Sequence, residues 1–223
     1  AAEIDGIAGQ AVRLGALWCL LTGGEPLLRE DFADVYLSLK RRGLLVSVFT
    51  TAQTLTDDHL ALFAKYPPRD IELTVYGVTA ETYERVTRRP GSFAAFTRGL
   101  DRLTAAGVRV RLKAMALRSN FNELAEIARF CRARTKDFFR FDPLLHLRFD
   151  GDARRNAEIR AERLSPEEIV ALEQADPERA ELYRLCQSRG GGITVMTTYG
   201  AGKLLSAEHS PFAGALTPGQ CKT

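Results

Sequence analysis

The sequence predicts an α/β fold in which a parallel sheet is covered by helices, and three observations carry that expectation. Apolar residues switch repeatedly between helical spacing and short continuous runs. Five such runs alternate with helical stretches through short connections, the arrangement of successive βαβ units. The first run is apolar without interruption, as suits a strand buried on both faces. Such a sheet is either doubly wound or curled as a partial barrel, and in both cases ligands gather at the C-terminal ends of the strands.

The elements follow in order. Residues 2–14 read as a helix, with Ile4, Ile7, Val12 and Leu14 apolar among polar neighbours and Gly15 as its stop. Residues 16–22 (ALWCLLT) are the first strand, ended by Gly23, Gly24 and Pro26. Phe32, Val35, Tyr36 and Leu39 mark one stripe of a helix over 30–42 that ends at Gly43, and 44–50 (LLVSVFT) is the second strand. Thr56 starts a short helix with Asp57 and Asp58 in its first turn, where carboxylates meet the positive end of the helix dipole; Pro67 and Pro68 close it. The third strand is 71–77 (IELTVYG). Thr79 caps a helix that breaks near Pro90 and Gly91 and resumes over 92–106, with Gly107 as its stop. Residues 108–117 (VRVRLKAMAL) alternate at first and then turn apolar, as a fourth strand. Asn120 or Asn122 caps the helix ELAEIARFCRAR, and 137–143 (DFFRFDP) is the fifth strand.

Beyond Leu144 the alternation lapses. Residues 146–162 are polar and read as a loop. Ser165, Pro166 and Glu168 then hold the N-cap, first-turn and capping-box positions of a helix that is interrupted at Asp176 and Pro177 and resumes to about Cys186. The chain is thus expected to divide into a core over 1–145, a polar loop with helices over 146–189, and an irregular C-terminal extension over 190–223.

With 223 residues, 45% of them hydrophobic, and a net charge of only +3, the chain can bury a core and is not disordered. Cys19, Cys131, Cys186 and Cys221 are too few and too far apart for a disulfide scaffold. No apolar run reaches the roughly 18 residues of a membrane span, and the first residues do not have the pattern of a signal peptide, so no membrane partner and a cytoplasmic location are expected. Between residues 88 and 113, Arg88, Arg89, Arg98, Arg102, Arg109, Arg111 and Lys113 face one acid, Asp101. A solvated helix face is the simpler reading; a docking surface for an acidic peptide or a phosphate is the sharper one. Zinc-finger spacing and RNP-like strands are lacking, so no nucleic-acid partner is expected. Trp18 and the phenylalanines read as core, and Cys19, Cys131 and Cys186 as small buried hydrophobes.

Thr22, Gly23, Gly24, Glu25 and Pro26 follow the first strand directly. Two glycines let the backbone turn sharply and bring bare peptide groups to a ligand, and Glu25 adds a carboxylate. Carbonyls plus a carboxylate are acceptors, which suits an ammonium; a phosphate would call for N–H donors. An ordinary βα turn rich in glycine is the other reading, and the motif alone leaves the two open.

The stretch LLTGGEPLLREDFADVYLSLKRRGLLVSVFTTAQTL, followed by ELTVYGVTAETYERVTRRPGSFAAFTRGLDRLTAAGVRVRLKAMALRSNFNELAEI and FRFDPLL, resembles the radical S-adenosylmethionine (SAM) enzymes. The resemblance is to the branch that carries a C-terminal SPASM or twitch extension and modifies peptides. It covers about residues 3–185 and implies a partial (β/α)6 barrel lacking its first strand. It further implies that Gly23, Gly24 and Glu25, followed by Pro26, hold the amino group of SAM. Thr50 and Thr51 fall where the family has Thr-Asn-Gly, with Thr51 and Ala52 in place of its Asn and Gly. Thr74 matches a position that touches the ribose or carboxylate of SAM, Lys113 and Arg118 are basic groups where the family places its partner for the SAM carboxylate, and Phe141 is placed to pack against adenine.

The resemblance also implies a 4Fe-4S cluster on a CxxxCxxC loop ahead of the first helix. No two cysteines here lie within four residues, so the chain is expected to be a piece lacking that loop and inactive by itself. A cluster-free relative that binds peptides, and an unrelated barrel enzyme that binds an amine, are the competing expectations. Tyr199, Gly200, Ala201, Gly202 and Lys203 look like the opening of a SPASM module with Tyr199 in place of Cys, and Cys221 is the candidate ligand of an auxiliary iron-sulfur cluster. A peptide or protein substrate and a reductant such as flavodoxin or ferredoxin are the implied partners.

Overall fold

The computed structural model describes residues 1–137 and 139–188, apart from the side chains of residues 182, 183 and 185–188. Tyr199, Cys221 and the side chain of Cys186 therefore lie outside the described residues. A first helix, α1 (Ala2–Arg13), leads into β1 (Trp18–Leu21) and a 3₁₀ turn (Pro26–Leu28). Alternation then continues through α2 (Phe32–Arg41), β2 (Leu45–Phe49), α3 (Asp57–Lys65), β3 (Asp70–Val75), α4 (Ala80–Thr87), α5 (Ser92–Ala105) and β4 (Val110–Met115). A 3₁₀ segment (Arg118–Glu123) precedes α6 (Leu124–Arg134) and β5 (Arg140–Asp142), and α7 (Ala153–Glu162), α8 (Pro166–Ala175) and α9 (Pro177–Ser188) follow.

The five strands are parallel and lie in the order β1-β2-β3-β4-β5. Strand order in a doubly wound sheet reverses at a switch point; here it never does. Right-handed crossovers that always step the same way leave every crossover helix on one side of the sheet, as in a barrel wall. The covered face carries Val46, Val48, Ile71, Leu73, Leu112 and Ala114, which share one core with Phe32, Tyr36, Phe63, Phe96, Leu100 and Ile127 of the helices. Tyr36 keeps its hydroxyl satisfied in that core by donating to the Tyr66 carbonyl at 2.7 Å.

The opposite face is not apolar. Register sets Ser47 beside Asp70, Phe49 beside Glu72, Glu72 beside Arg111, Thr74 beside Lys113, and Lys113 beside Arg140. Partners across a parallel ladder share a face, so charged residues line the inner side of the sheet. The first run, expected to form a strand buried on both faces, is corrected by its place in the sheet. At the sheet edge, β1 is only half-buried along its whole length.

Other expectations change as well. Residues 153–162, expected in a loop, form α7: Asp152 caps its first turn, Arg154 and Arg155 pair with Glu158, and Glu162 accepts from Ser119. A helix polar on every side lacks an apolar stripe and is held by such pairs instead. Neither Asn120 nor Asn122 caps α6. Asn120 is buried and staples the strand ends, accepting from the Leu117 N–H at 2.9 Å and donating to the carbonyls of Tyr76 and Met115. Trp18 is half-buried, with Nε1 donating to Ser47 Oγ at 3.0 Å, and Phe149 is fully exposed, so neither belongs to the core.

Ser165 does cap α8: its hydroxyl accepts from the Glu168 N–H while Glu168 accepts from the Ser165 N–H at 2.7 Å. Ser165→Ala is expected to cost about 1 kcal/mol, measured as a fall in the denaturant midpoint. No change would show that α8 is held entirely by its side-chain contacts.

Candidate functional site

Two structures at the C-terminal ends of the strands bring expected site residues together. The first joins the ends of β1 and β2. Gly23 has φ +147°, a region that favours glycine, and both Gly23 and Gly24 are exposed. The chain turns back so that Glu25 becomes the cap of the 3₁₀ turn, with Pro26 buried behind it. One carboxylate oxygen of Glu25 accepts from the Leu27 N–H at 3.2 Å and from Thr50 Oγ1 at 2.5 Å; the other accepts from the Thr51 N–H at 2.7 Å and Thr51 Oγ1 at 2.6 Å. Four donors match the roughly four lone-pair positions of a carboxylate, so this side chain has a fixed orientation. Two of those donors are hydroxyls that can rotate to accept from, or give way to, an incoming ammonium. Ala52, at the position for which the resemblance implies Gly, adopts φ +56°, a left-handed conformation that favours glycine.

The second structure lies on the inner face of β3, β4 and β5. Lys113 Nζ is 2.9 Å from Asp142 and 3.3 Å from Glu72, and sits 5.0 Å from the centre of the Phe49 ring. Arg140 bridges the same two acids, 2.9 Å from Glu72 and 2.5 Å from Asp142. Side-chain exposure rises from 2% at Glu72 to 15% at Lys113 and 29% at Asp142, so the cluster opens towards the strand ends. Thr74 lies on this face beside Lys113. Glu72, Arg140 and Asp142 were not singled out from the sequence, although the alternation in IELT, RVRLK and RFD carried the signal.

Two expected residues stand apart. Phe141 pairs with Ala114 on the helix-covered face, so the sheet separates it from Thr74 and Lys113, and the Arg179 guanidinium covers its ring at 4.3 Å. Its neighbours Arg140 and Asp142 are the β5 residues that face Lys113. Arg118 grips Glu168 of α8 with two nitrogens, at 2.5 and 2.8 Å, and so ties the core to the C-terminal helices.

The run of basic residues over 88–113 is largely neutralised from elsewhere. Arg88 pairs with Glu158, Arg102 with Asp57, Arg109 with Asp137, and Arg111 lies 3.9 Å from both Asp70 and Asp137. Several of these pairs are far apart in sequence, and the basic residues point to different sides of the sheet and helices. The excess of basic charge that suggested a docking surface for an acidic peptide or a phosphate is thus largely balanced.

Cys131 is buried and its thiol is pushed up to about 12 by burial; burial also raises the Cys19 thiol. Both stay protonated at neutral pH. Among the described residues no group of three or more His, Cys, Asp or Glu side chains is placed to hold a metal ion, so these residues do not fit a cluster ligand set. The donor chemistry fits SAM better: acceptors at Gly23, Gly24 and Glu25 for its ammonium, and cations on the inner face for its carboxylate.

Residues 1–131 match the model of the radical SAM superfamily. A GTP 3',8-cyclase of Rhizobium etli (strain CIAT 652) is 28% identical over 139 residues, covering 60% of this chain and 40% of that protein. A PqqA peptide cyclase of Rhizobium meliloti (strain 1021) is 27% identical over 160 residues, covering 70% of this chain and 41% of that protein. The chain thus spans about two fifths of the length of these curated relatives. Among solved structures, anSMEcpe with bound AdoMet superposes with a TM-score of 0.59 at 12% identity, over 84% of this chain and 52% of that one. SuiB of Streptococcus suis bound to precursor peptide SuiA gives 0.55 at 18%, over 61% and 31%. These two likenesses concern the fold. The family match covers more than half of the chain and meets a singly wound parallel sheet with its polar site at the strand ends: the chain belongs to the radical SAM superfamily.

Proposed function

We propose that the intact protein is a radical SAM enzyme that modifies a peptide or protein, and that this chain supplies its SAM-binding wall. The observation that carries the reading is the junction of Glu25 with Thr50 and Thr51, which locks the loop bearing Gly23 and Gly24 at the mouth of the inner face. Glu25 positions the ligand's ammonium, Gly23 and Gly24 offer carbonyls to it, and Thr74, Lys113 and Arg140 face its ribose and carboxylate. A 4Fe-4S cluster and a reductant such as flavodoxin or ferredoxin would supply the radical chemistry on SAM; none of the described residues would hold that cluster. The protein's own part is placement and exclusion of solvent. The division into a core over 1–145, helices and linker over 146–189, and a SPASM-like part over 190–223 with Cys221 as a cluster ligand belongs to the same proposal.

A peptide substrate is supported by the match to the PqqA peptide cyclase of Rhizobium meliloti, which runs through 160 residues, against 131 to 148 for the GTP 3',8-cyclases. The latter matches support a second reading, a nucleotide substrate. Glu25→Gln keeps the size of the side chain and removes its charge, and is expected to weaken SAM binding about tenfold in equilibrium dialysis, as loss of a charge-assisted hydrogen bond does. Unchanged affinity would refute the role of Glu25. Tight binding of GTP by the intact protein would favour the nucleotide reading.

A further inference from the structure

We propose that Lys113 and Arg140 form a carboxylate-binding site that Asp142 occupies from within the chain, so that Asp142 competes with the carboxylate of the ligand. The inference rests on the reading above that SAM binds along this face, and it deepens that reading. Two cations and two acids close a ring: Glu72 touches both Lys113 and Arg140, and so does Asp142. The two acids are not equivalent. Glu72 lies mid-strand with its side chain 2% exposed and is the permanent counter-ion. Asp142 is the last residue of β5, its side chain is 29% exposed, and it sits at the end of the strands where ligands arrive.

Asp142 meets Arg140 with one oxygen and Lys113 with the other. An α-carboxylate presents the same two-oxygen fork, so it can replace Asp142 with each of these two hydrogen bonds remade, while the displaced Asp142 turns to water. The ring is neutral with Asp142 in place, one lysine and one arginine against two acids. Removing the Asp142 charge leaves a net +1 facing the ligand. The aromatic face of Phe49, 5.0 Å from Lys113 Nζ, supports that cation without competing for an anion. Asp142 thus sets how strongly the site holds an anion, and Glu72 keeps the two cations in place.

The test compares the wild-type chain with Asp142→Asn by calorimetry at low ionic strength, using SAM and decarboxylated SAM as probes. Asp142→Asn is expected to bind SAM about three- to tenfold more tightly, a gain that salt diminishes and that Lys113→Met in the same background removes. Decarboxylated SAM should show no gain. Affinity for SAM that is unchanged or lower, or an equal gain for both probes, overturns the proposal. Should Asp142→Asn lose its native circular dichroism, Asp142→Ser serves in its place. If neither protein binds SAM, acetate titrated against the Arg140 Nε–H resonance separates the two ideas. Saturation at lower acetate concentration in Asp142→Asn upholds the carboxylate site and refutes SAM as its ligand; no difference refutes the site.

Discussion

Glu72→Ala is expected to lower stability by about 3–5 kcal/mol, because it leaves two cations on the inner face without their buried partner. Glu72 is 3% exposed, and Lys113 and Arg140 approach it at 3.3 and 2.9 Å with side chains 15% and 14% exposed. Loss of the carboxylate removes two charge-assisted contacts and brings Lys113 and Arg140 into repulsion, with Asp142 as their one remaining bridge. Equilibrium unfolding in urea reads the change as a lower midpoint at unchanged slope. The contrast that identifies the cause is Glu72→Leu combined with Lys113→Met and Arg140→Met. With the cations removed as well, no buried charge is left unpaired, and most of the stability should return. If the triple variant is as unstable as Glu72→Ala, unpaired charge is not the reason and the cluster has been misread.

Gly99→Ala is expected to cost about 2 kcal/mol net, although alanine is the better helix former. A Cβ built on Gly99 of α5 would meet the Ala52 carbonyl oxygen at 2.2 Å and Ala52 Cβ at 2.8 Å. Relief requires α5 or the turn after β2 to move, a strain of about 3 kcal/mol, against a helix-propensity gain of about 1 kcal/mol. Ala52 cannot yield easily, since it is buried and already sits at φ +56°. The strained turn carries Thr50 and Thr51, so the same substitution should loosen the grip on Glu25 and weaken SAM binding together with stability. A midpoint equal to or above that of the wild-type protein would show that the turn gives way without cost.

The two variants test different parts of one arrangement. Glu72 keeps cations in the middle of the sheet face, and Gly99 allows the helix layer to press against the turn that fixes Glu25. Both act through placement of groups at the strand ends, where the SAM-binding wall is proposed.

Much of this was legible in the sequence. The helix caps Thr56, Thr79 and Ser165 lie where their local patterns place them, since a cap needs only a hydroxyl and the next three residues. The GGEP turn was legible as a feature of the strand end because its residues follow the first strand directly, and the structure joins its Glu25 to Thr50 and Thr51. Two placements were not legible there: Arg118 meets Glu168, fifty residues away, and Phe141 lies on the helix-covered face through its register with Ala114. The helix α7 was missed because polar pairs, which leave no apolar period, hold it.

By itself the sequence determined five strands, the helices between them and the apolar residues that join the two layers, because these depend on local periodicity. It left open whether the sheet reverses. The tertiary structure decided that every strand adds to the same edge, which leaves one face of the sheet without crossover helices. That is why acids and bases remote in sequence, Glu72, Lys113, Arg140 and Asp142, meet on the inner face: strand order and register are set by contacts between distant segments, and no local pattern encodes them.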